Sequence, residues 1–330
     1  MVVVPSESDA PARQPWWSST WFKLGLSAVL LGVLLYKTDL SDLGDAVAHA
    51  QLGWVTVALI GYIVSQFISS IRWTMLARPL GFNQPFVHFF TAYFTGMYMN
   101  LFAPSTVAGD IGRALLLAGG QQRKALAFTT VLADRGLGFV TLSWIGAVAV
   151  LTQPGYTIPA PLYYAAWTVP AGTLFAWLCL PQLMVRMFKR GNRWRLLVER
   201  DLAPYWKDVR LLVSTSAVAV VFHTLQVLTQ VLLAHALGLR VPLSFFFIFV
   251  PVVNILGMVP VSFSGIGVRE GGYWFFLAQV GVTRSAALAL GLLSSAVVLA
   301  TGLVAGLVFL VSKPPLLRQP QAPHAAGGTR

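Results

Sequence analysis

The chain has 330 residues, of which 56% are hydrophobic and only 10% charged, and its mean hydropathy is +0.71. Soluble domains carry about a quarter charged residues, and no soluble core of this length could bury so much apolar surface, so a water-soluble fold is excluded. The formal net charge of +12 is concentrated in loops between apolar segments, which fits the positive-inside rule and not a nucleic-acid-binding face.

Residues 1–21 are polar and proline-bearing as far as Gln14, lack the apolar core of a cleavable signal peptide, and are expected to form a cytoplasmic segment anchored by Trp16, Trp17 and Trp21. A transmembrane domain is expected over 22–313. Its apolar segments run over 22–36, 54–71, 86–102, 125–151, 162–180, 211–237, 245–259 and 285–311. Several approach the roughly 20 residues that a helix needs to cross about 30 Å of hydrocarbon. Two shorter apolar pieces, 111–118 and 273–280, each follow a Pro/Gly-containing interruption. Residues 314–330, rich in Pro, Gln, Ala and Gly, read as a disordered tail.

Loop charge sets the orientation. Arg186, Lys189, Arg190, Arg193, Arg195, Arg200, Lys207 and Arg210 crowd the central loop against only Glu199, Asp201 and Asp208, so that loop is expected in the cytoplasm. Arg13 with Lys23, Arg72 with Arg78, Arg123 with Lys124, and Lys313 with Arg318 fall on the same side. The acidic loop with Asp39, Asp42 and Asp45 and the uncharged loop 152–161 fall opposite. These assignments agree only if 86–118 enters and leaves from the cytoplasm while 245–280 enters and leaves from outside. The expected fold is therefore an all-α polytopic membrane protein with six full crossings and two broken, re-entrant hairpins; eight crossings with two short helices satisfy the same charges.

Pro104, Gly109 and Arg113 recur as Pro260, Gly265 and Arg269 with the same spacings, at an offset of 156 residues. Each motif follows an apolar arm carrying an asparagine, Asn100 or Asn254. An inverted-topology repeat is predicted, one copy over about 22–151 and the other over about 162–311. The hairpin breaks are placed at Asn100, Pro104 and Gly109, and at Asn254, Pro260, Gly265 and Gly267. Inverted repeats with interrupted segments in equivalent places are a transporter pattern, with the site near the bilayer midplane. Kinks that only ease helix packing would leave the same trace.

Between 86 and 122 the only charged residues are Asp110 and Arg113, and between 211 and 283 they are Arg240, Arg269 and Glu270. Arg240 lies in a Gly/Pro loop. Asp134 and Arg135 lie ten residues beyond Lys124 in one apolar run, about 15 Å deep at 1.5 Å per residue. The candidate substrate-binding residues are thus Asp110, Arg113, Asp134, Arg135, Arg269 and Glu270, three of each sign. Burying them costs several kcal/mol unless they are paired or hydrated. Ion pairs alone could fix helix register. Alternatively, the arginine forks would hold a phosphodiester, with the carboxylates holding the forks when no substrate is present. The carboxylates would equally receive a cationic headgroup or carry a proton. Adjacent helical positions point about 100° apart, so Asp134 and Arg135 are expected to address different partners. Asp110 and Ser264 are placed to cap the second hairpin arms. His223, Gln226 and Gln230 form a one-faced stripe that lines a hydrated path or bonds neighbouring helices.

Other chemistry finds no support. Cys179 is alone, and His49, His88, His223, His235 and His324 are scattered, so no disulfide, redox pair or metal site is expected. Gly265, Gly267 and Gly271 lack the strand and spacing of a dinucleotide loop, and Ser262 and Ser264 lack a nearby histidine. No cofactor and no catalytic residue are assigned.

The sequence resembles the lysylphosphatidylglycerol synthase transmembrane-region family, which includes the flippase half of the bacterial multiple peptide resistance factor and stand-alone relatives. The resemblance is carried by Arg72 and Trp73, by Asn100, Pro104, Gly109, Asp110 and Arg113, by Asp134 and Arg135, and by Pro260, Gly265, Gly267, Arg269 and Glu270. It spans nearly the whole hydrophobic chain. Ala108 stands where relatives often have glycine, and Asp134 where glutamate is common. The resemblance implies a lipid flippase or scramblase of the bacterial inner membrane, multi-pass with both termini cytoplasmic. Its partner would be a phospholipid, aminoacylated or not, or another lipid-linked headgroup; a homo-oligomer is left open. Only a short tail follows Val311 in place of an aminoacyl-transferase half, so lipid synthesis is not expected. The alternative is an integral-membrane transferase or an accessory subunit in lipid or lipid-linked glycan biosynthesis.

Overall fold

The structure, a computed structural model, describes residues 38–102, 107–119, 123–153, 155, 156, 158–189, 191–258 and 267–312, with 29, 32, 35 and 36. The segments expected at 1–21 and 314–330, and nearly all of the crossing expected at 22–36, lie outside the described residues.

The acidic stretch near Asp39 is a helix and not a loop. Asp39 accepts from the backbone N–H groups of Ser41 and Asp42 at 2.9 and 3.3 Å, capping α1 (Leu40–Ala48). An aspartate at this position satisfies helix-start N–H groups that would otherwise lack a partner.

Long apolar runs without internal breakers then give α2 (Leu52–Ala77), with 26 residues. Next come the shorter α3 (Phe86–Phe102) and α4 (Val107–Ala118), followed by the 29-residue α5 (Lys124–Thr152). The 28-residue α6 (Ala160–Met187) carries Pro170 and Pro181 and bends by 52° between Ala160–Ala176 and Pro181–Met187. Proline removes a backbone donor and clashes with the preceding turn, which accounts for the bend. The basic central stretch contains short helical turns, among them Ala203–Lys207, where the Tyr205 hydroxyl donates to the Leu76 carbonyl at 2.7 Å. The second half comprises α7 (Val209–Ala236), α8 (Leu243–Met258), α9 (Val268–Leu277) and α10 (Arg284–Ser312). Four helices, α2, α5, α7 and α10, are long and apolar enough to cross a membrane, and the bent α6 makes a fifth if its two halves count as one broken span. No strand occurs among the described residues, and the protein is an all-α polytopic membrane protein.

The two interrupted segments are helical hairpins. At one end, Gln84 and His88 reach the carbonyls of Leu117 and Leu116 at 3.4 and 3.2 Å. At the other, Asn100 accepts from the Gly109 N–H at 2.8 Å, so α4 runs back along α3. In the second half the Phe249 ring meets Phe276 at 6.2 Å, Val253 packs on Gly272, and Gly257 faces Arg269, so α9 runs back along α8. The four arms have 17, 12, 16 and 10 residues, about 25 Å or less each, short of a hydrocarbon core of about 30 Å. Pro104, Pro260 and Gly265 lie outside the described residues.

Glycine lets these arms touch at the backbone. A Cβ on Gly96 would meet the Gly109 carbonyl oxygen at 2.6 Å, so α3 and α4 cross in direct main-chain contact. Gly302 and Gly306 of α10 likewise receive Leu101 and Tyr98 of α3, and Tyr98 stacks on Phe309 with centroids 5.5 Å apart. Close approach over small residues is how helices associate where lipid removes the usual hydrophobic drive.

Candidate functional site

The site starts from two neighbouring residues of α5. Asp134 turns toward α2 and α4, where its oxygens accept from Arg72 Nε at 2.8 Å and Arg113 Nη1 at 3.1 Å. Arg135, one position on, turns away and pairs through its Nε with Asp110 Oδ2. Asp110 also accepts from Arg113, three residues later on α4, at 3.2 Å. The result is an alternating chain, Arg72, Asp134, Arg113, Asp110, Arg135, tying α2, α4 and α5 together. Its middle is sealed: Arg72, Arg113 and Asp134 are 4%, 5% and 2% exposed, whereas the Arg135 side chain is 38% exposed.

Aromatic side chains supply the remaining walls. The Arg113 guanidinium lies 5.0 Å from the Trp73 ring and 5.1 Å from that of Tyr93, and Arg72 lies 5.3 Å from Phe222. The Trp73 indole N–H donates to Thr130 at 3.0 Å and the Tyr93 hydroxyl to Ser69 at 2.9 Å, which fixes both rings. Cation–π contacts of this kind gain weight when desolvated.

A cavity of about 190 Å³ adjoins the chain, lined by all five charged residues together with Asn100, Phe222 and His223. At about 30 Å³ per water it has room for roughly six. The buried members, Arg72 and Arg113 with Asp110 and Asp134, balance two against two, and Arg135 is the partly exposed end of the chain. Arg72 Nη1 and His223 Nε2 are buried there without a hydrogen-bond partner, and both Asp134 oxygens are already engaged.

Four of the six predicted residues, Asp110, Arg113, Asp134 and Arg135, meet in this chain. Asp134 and Arg135 do address different partners. Asp110 is not the expected helix cap: α4 begins at Val107, and the carboxylate, one turn in, is turned to the arginines. Arg269 and Glu270 do not line the cavity. Glu270, 2% exposed, accepts the Gly267 N–H at 2.7 Å and the Ser295 hydroxyl at 3.1 Å, closing the start of its own helix. Gly267 holds φ at +85°, a conformation that favours glycine. Arg269 is half-buried, its Nε lacks a hydrogen-bond partner, and it acts electrostatically on Tyr62 and Tyr273. Asn100 and Gly109 bond to each other across the first break; Asn254 is half-buried near the end of α8.

Two site residues were missed. Arg72 reads in sequence as a loop charge after an apolar run ending at Ile71, but α2 continues to Ala77 and carries Arg72 inside. The available signal was the Arg72–Trp73 pair, one of the features on which the sequence resemblance rests. His223 reads as one residue of a polar stripe. The structure divides that stripe: Gln226 and Gln230 bond Ser65 and Ser294 on neighbouring helices, while His223 faces the cavity. Among the described residues no group of three or more His, Cys, Asp or Glu could hold a metal.

A UPF0104 membrane protein of Methanothermobacter thermautotrophicus is 22% identical over 288 residues, covering 79% of this chain and 85% of that protein. The pattern described as the lysylphosphatidylglycerol synthase TM region matches residues 20–306, which contain all five residues of the charged chain. Nearly the whole membrane domain falls within that match, and the protein belongs to the lysylphosphatidylglycerol synthase TM region family.

Proposed function

We propose that the protein is a lipid flippase or scramblase that passes a phosphate-bearing headgroup, aminoacylated or not, across the bacterial inner membrane by way of the cavity between α2, α4 and α5. In this reading the hairpins α3/α4 and α8/α9 are inverted copies entering from opposite faces, with both termini in the cytoplasm. The observation that carries it is a buried arginine with a donor to spare, Arg72, on the wall of that cavity. A cluster serving only to fix helix register is cheapest when every buried donor is engaged, because an unsatisfied one costs about 1–3 kcal/mol. Here Arg72 Nη1, buried and without a hydrogen-bond partner, stands beside a cavity large enough to admit an anion. Arginine suits that anion, since its planar fork pairs with phosphate oxygens and keeps its charge at any physiological pH. The proposed passage involves no covalent step.

The test is leaflet exchange of fluorescent phosphatidylglycerol in proteoliposomes. Exchange well above that of protein-free vesicles is expected. Equal rates in the two preparations would remove the proposal, and a covalently altered lipid recovered by mass spectrometry would turn it toward a transferase.

A further inference from the structure

One corner of the cavity holds two donors that no acceptor engages in hydrogen-bond geometry, His223 Nε2 having only the Gly138 backbone beside it. Arg72 gives Nε to Asp134 at 2.8 Å and Nη2 to Ser69 at 3.3 Å, which leaves Nη1. His223, 4% exposed, leaves Nε2. Both face Gly138, one turn beyond Asp134 on α5: a Cβ built there would lie 3.6 Å from the Arg72 terminal nitrogens and 3.8 Å from His223 Nε2. Those are ordinary contact distances, so an alanine would fit, and Gly138 is not among the glycines with positive φ. Glycine within a helix costs about 1 kcal/mol relative to alanine. Neither backbone geometry nor packing requires glycine here, and its bare Cα leaves the corner open.

We propose that this corner is an oxyanion subsite, in which a non-bridging oxygen of a phosphodiester rests above Gly138 and accepts hydrogen bonds from Arg72 Nη1 and His223 Nε2. The groups facing the His223 ring are Arg72 from α2, Asp134 and the Gly138 backbone from α5, and Phe222 beside it on α7. Asp134 is already taken by two arginines, so an incoming anion is the acceptor that the corner lacks. The tautomer with the proton on Nε2 supplies a neutral donor. The subsite rests on the flippase proposal for the source of the phosphate.

The experiment uses the full chain and four variants, Gly138→Ala, Gly136→Ala, His223→Leu and His223→Gln. Gly136 lies on the same helix with nothing within 4 Å of a built Cβ, so it controls for helix propensity. Short-chain phosphatidylglycerol is expected to raise the Tm of the wild type in detergent. Gly138→Ala and His223→Leu should lose that shift, while Gly136→Ala and His223→Gln keep most of it. In proteoliposomes Gly138→Ala should slow exchange about tenfold or more, the equivalent of one charge-assisted hydrogen bond. A full Tm shift in Gly138→Ala, or an equal shift of the wild type with a phosphate-free glycolipid, would overturn the subsite. A shift with inorganic phosphate and none with the lipid would assign the corner to a soluble anion and overturn the lipid assignment. Wild-type protein that binds phosphatidylglycerol through Gly138 but exchanges none would leave the subsite standing and remove translocation. Exchange by the wild type that Gly138→Ala leaves unchanged would remove the subsite alone.

Discussion

The hairpins α3/α4 and α8/α9 share one spaced pattern of proline, glycine and arginine, yet their arginines do different work. In the first, α4 begins six residues ahead of Arg113, so the guanidinium is presented from mid-helix against Asp134 of α5. In the second, α9 begins one residue ahead of Arg269, at the helix entrance, and the adjacent Glu270 is spent on the Gly267 N–H. The neighbouring long helix differs too: α5 offers Asp134 and Arg135, whereas α10 offers Ser295. Equal spacing along the chain is not equal geometry, because the register of the helix start and the side chains opposite decide what an arginine can reach.

Substitutions can sharpen or break this contrast, and the largest effect is expected at Arg113. Arg113→Ala strands Asp134 and Asp110 on one side, so it should cost about 3–5 kcal/mol of stability and abolish lipid exchange, read by unfolding in mixed detergent and by the proteoliposome assay. Arg269→Ala breaks no ion pair among the described residues and should cost less, about 1–2 kcal/mol; a loss equal to that of Arg113→Ala would erase the contrast. Glu270→Gln weakens a helix start and should cost about 1 kcal/mol with exchange per folded molecule unchanged. Arg135→Ala removes a partly exposed partner and should cost less than about 1 kcal/mol while still slowing exchange.

The helices were legible because apolar runs of 15 or more residues have few alternatives in a chain this poor in charge, and the two hairpins because a Pro/Gly-containing interruption divides each of their apolar stretches. Helical geometry alone separated the partners of Asp134 and Arg135. Arg72 was not legible in the same way. Its partner lies 62 residues away, and an arginine at the end of an apolar run looks the same in sequence whether it meets water or a carboxylate. His223 was hidden for a related reason, since periodicity gives the face of a helix but not what the neighbouring helix presents to it. The Glu270 cap could have been found locally, because a glycine followed three residues later by glutamate is the spacing of a helix start.

The main-chain contact between Gly96 and Gly109, pinned by Asn100, ties α3 and α4 side by side as a single lever. Whatever motion lets cargo through has to be taken up where that lever meets α2 and α5, which is where the arginines and aspartates grip one another. An anion that competes for those guanidiniums loosens the grip as it binds, so the cargo would serve as the key to its own gate. Spin labels on α3 and α4 should then hold one separation with and without lipid, while a pair on α4 and α5 should change theirs; a fixed α4–α5 distance would lock that gate for good.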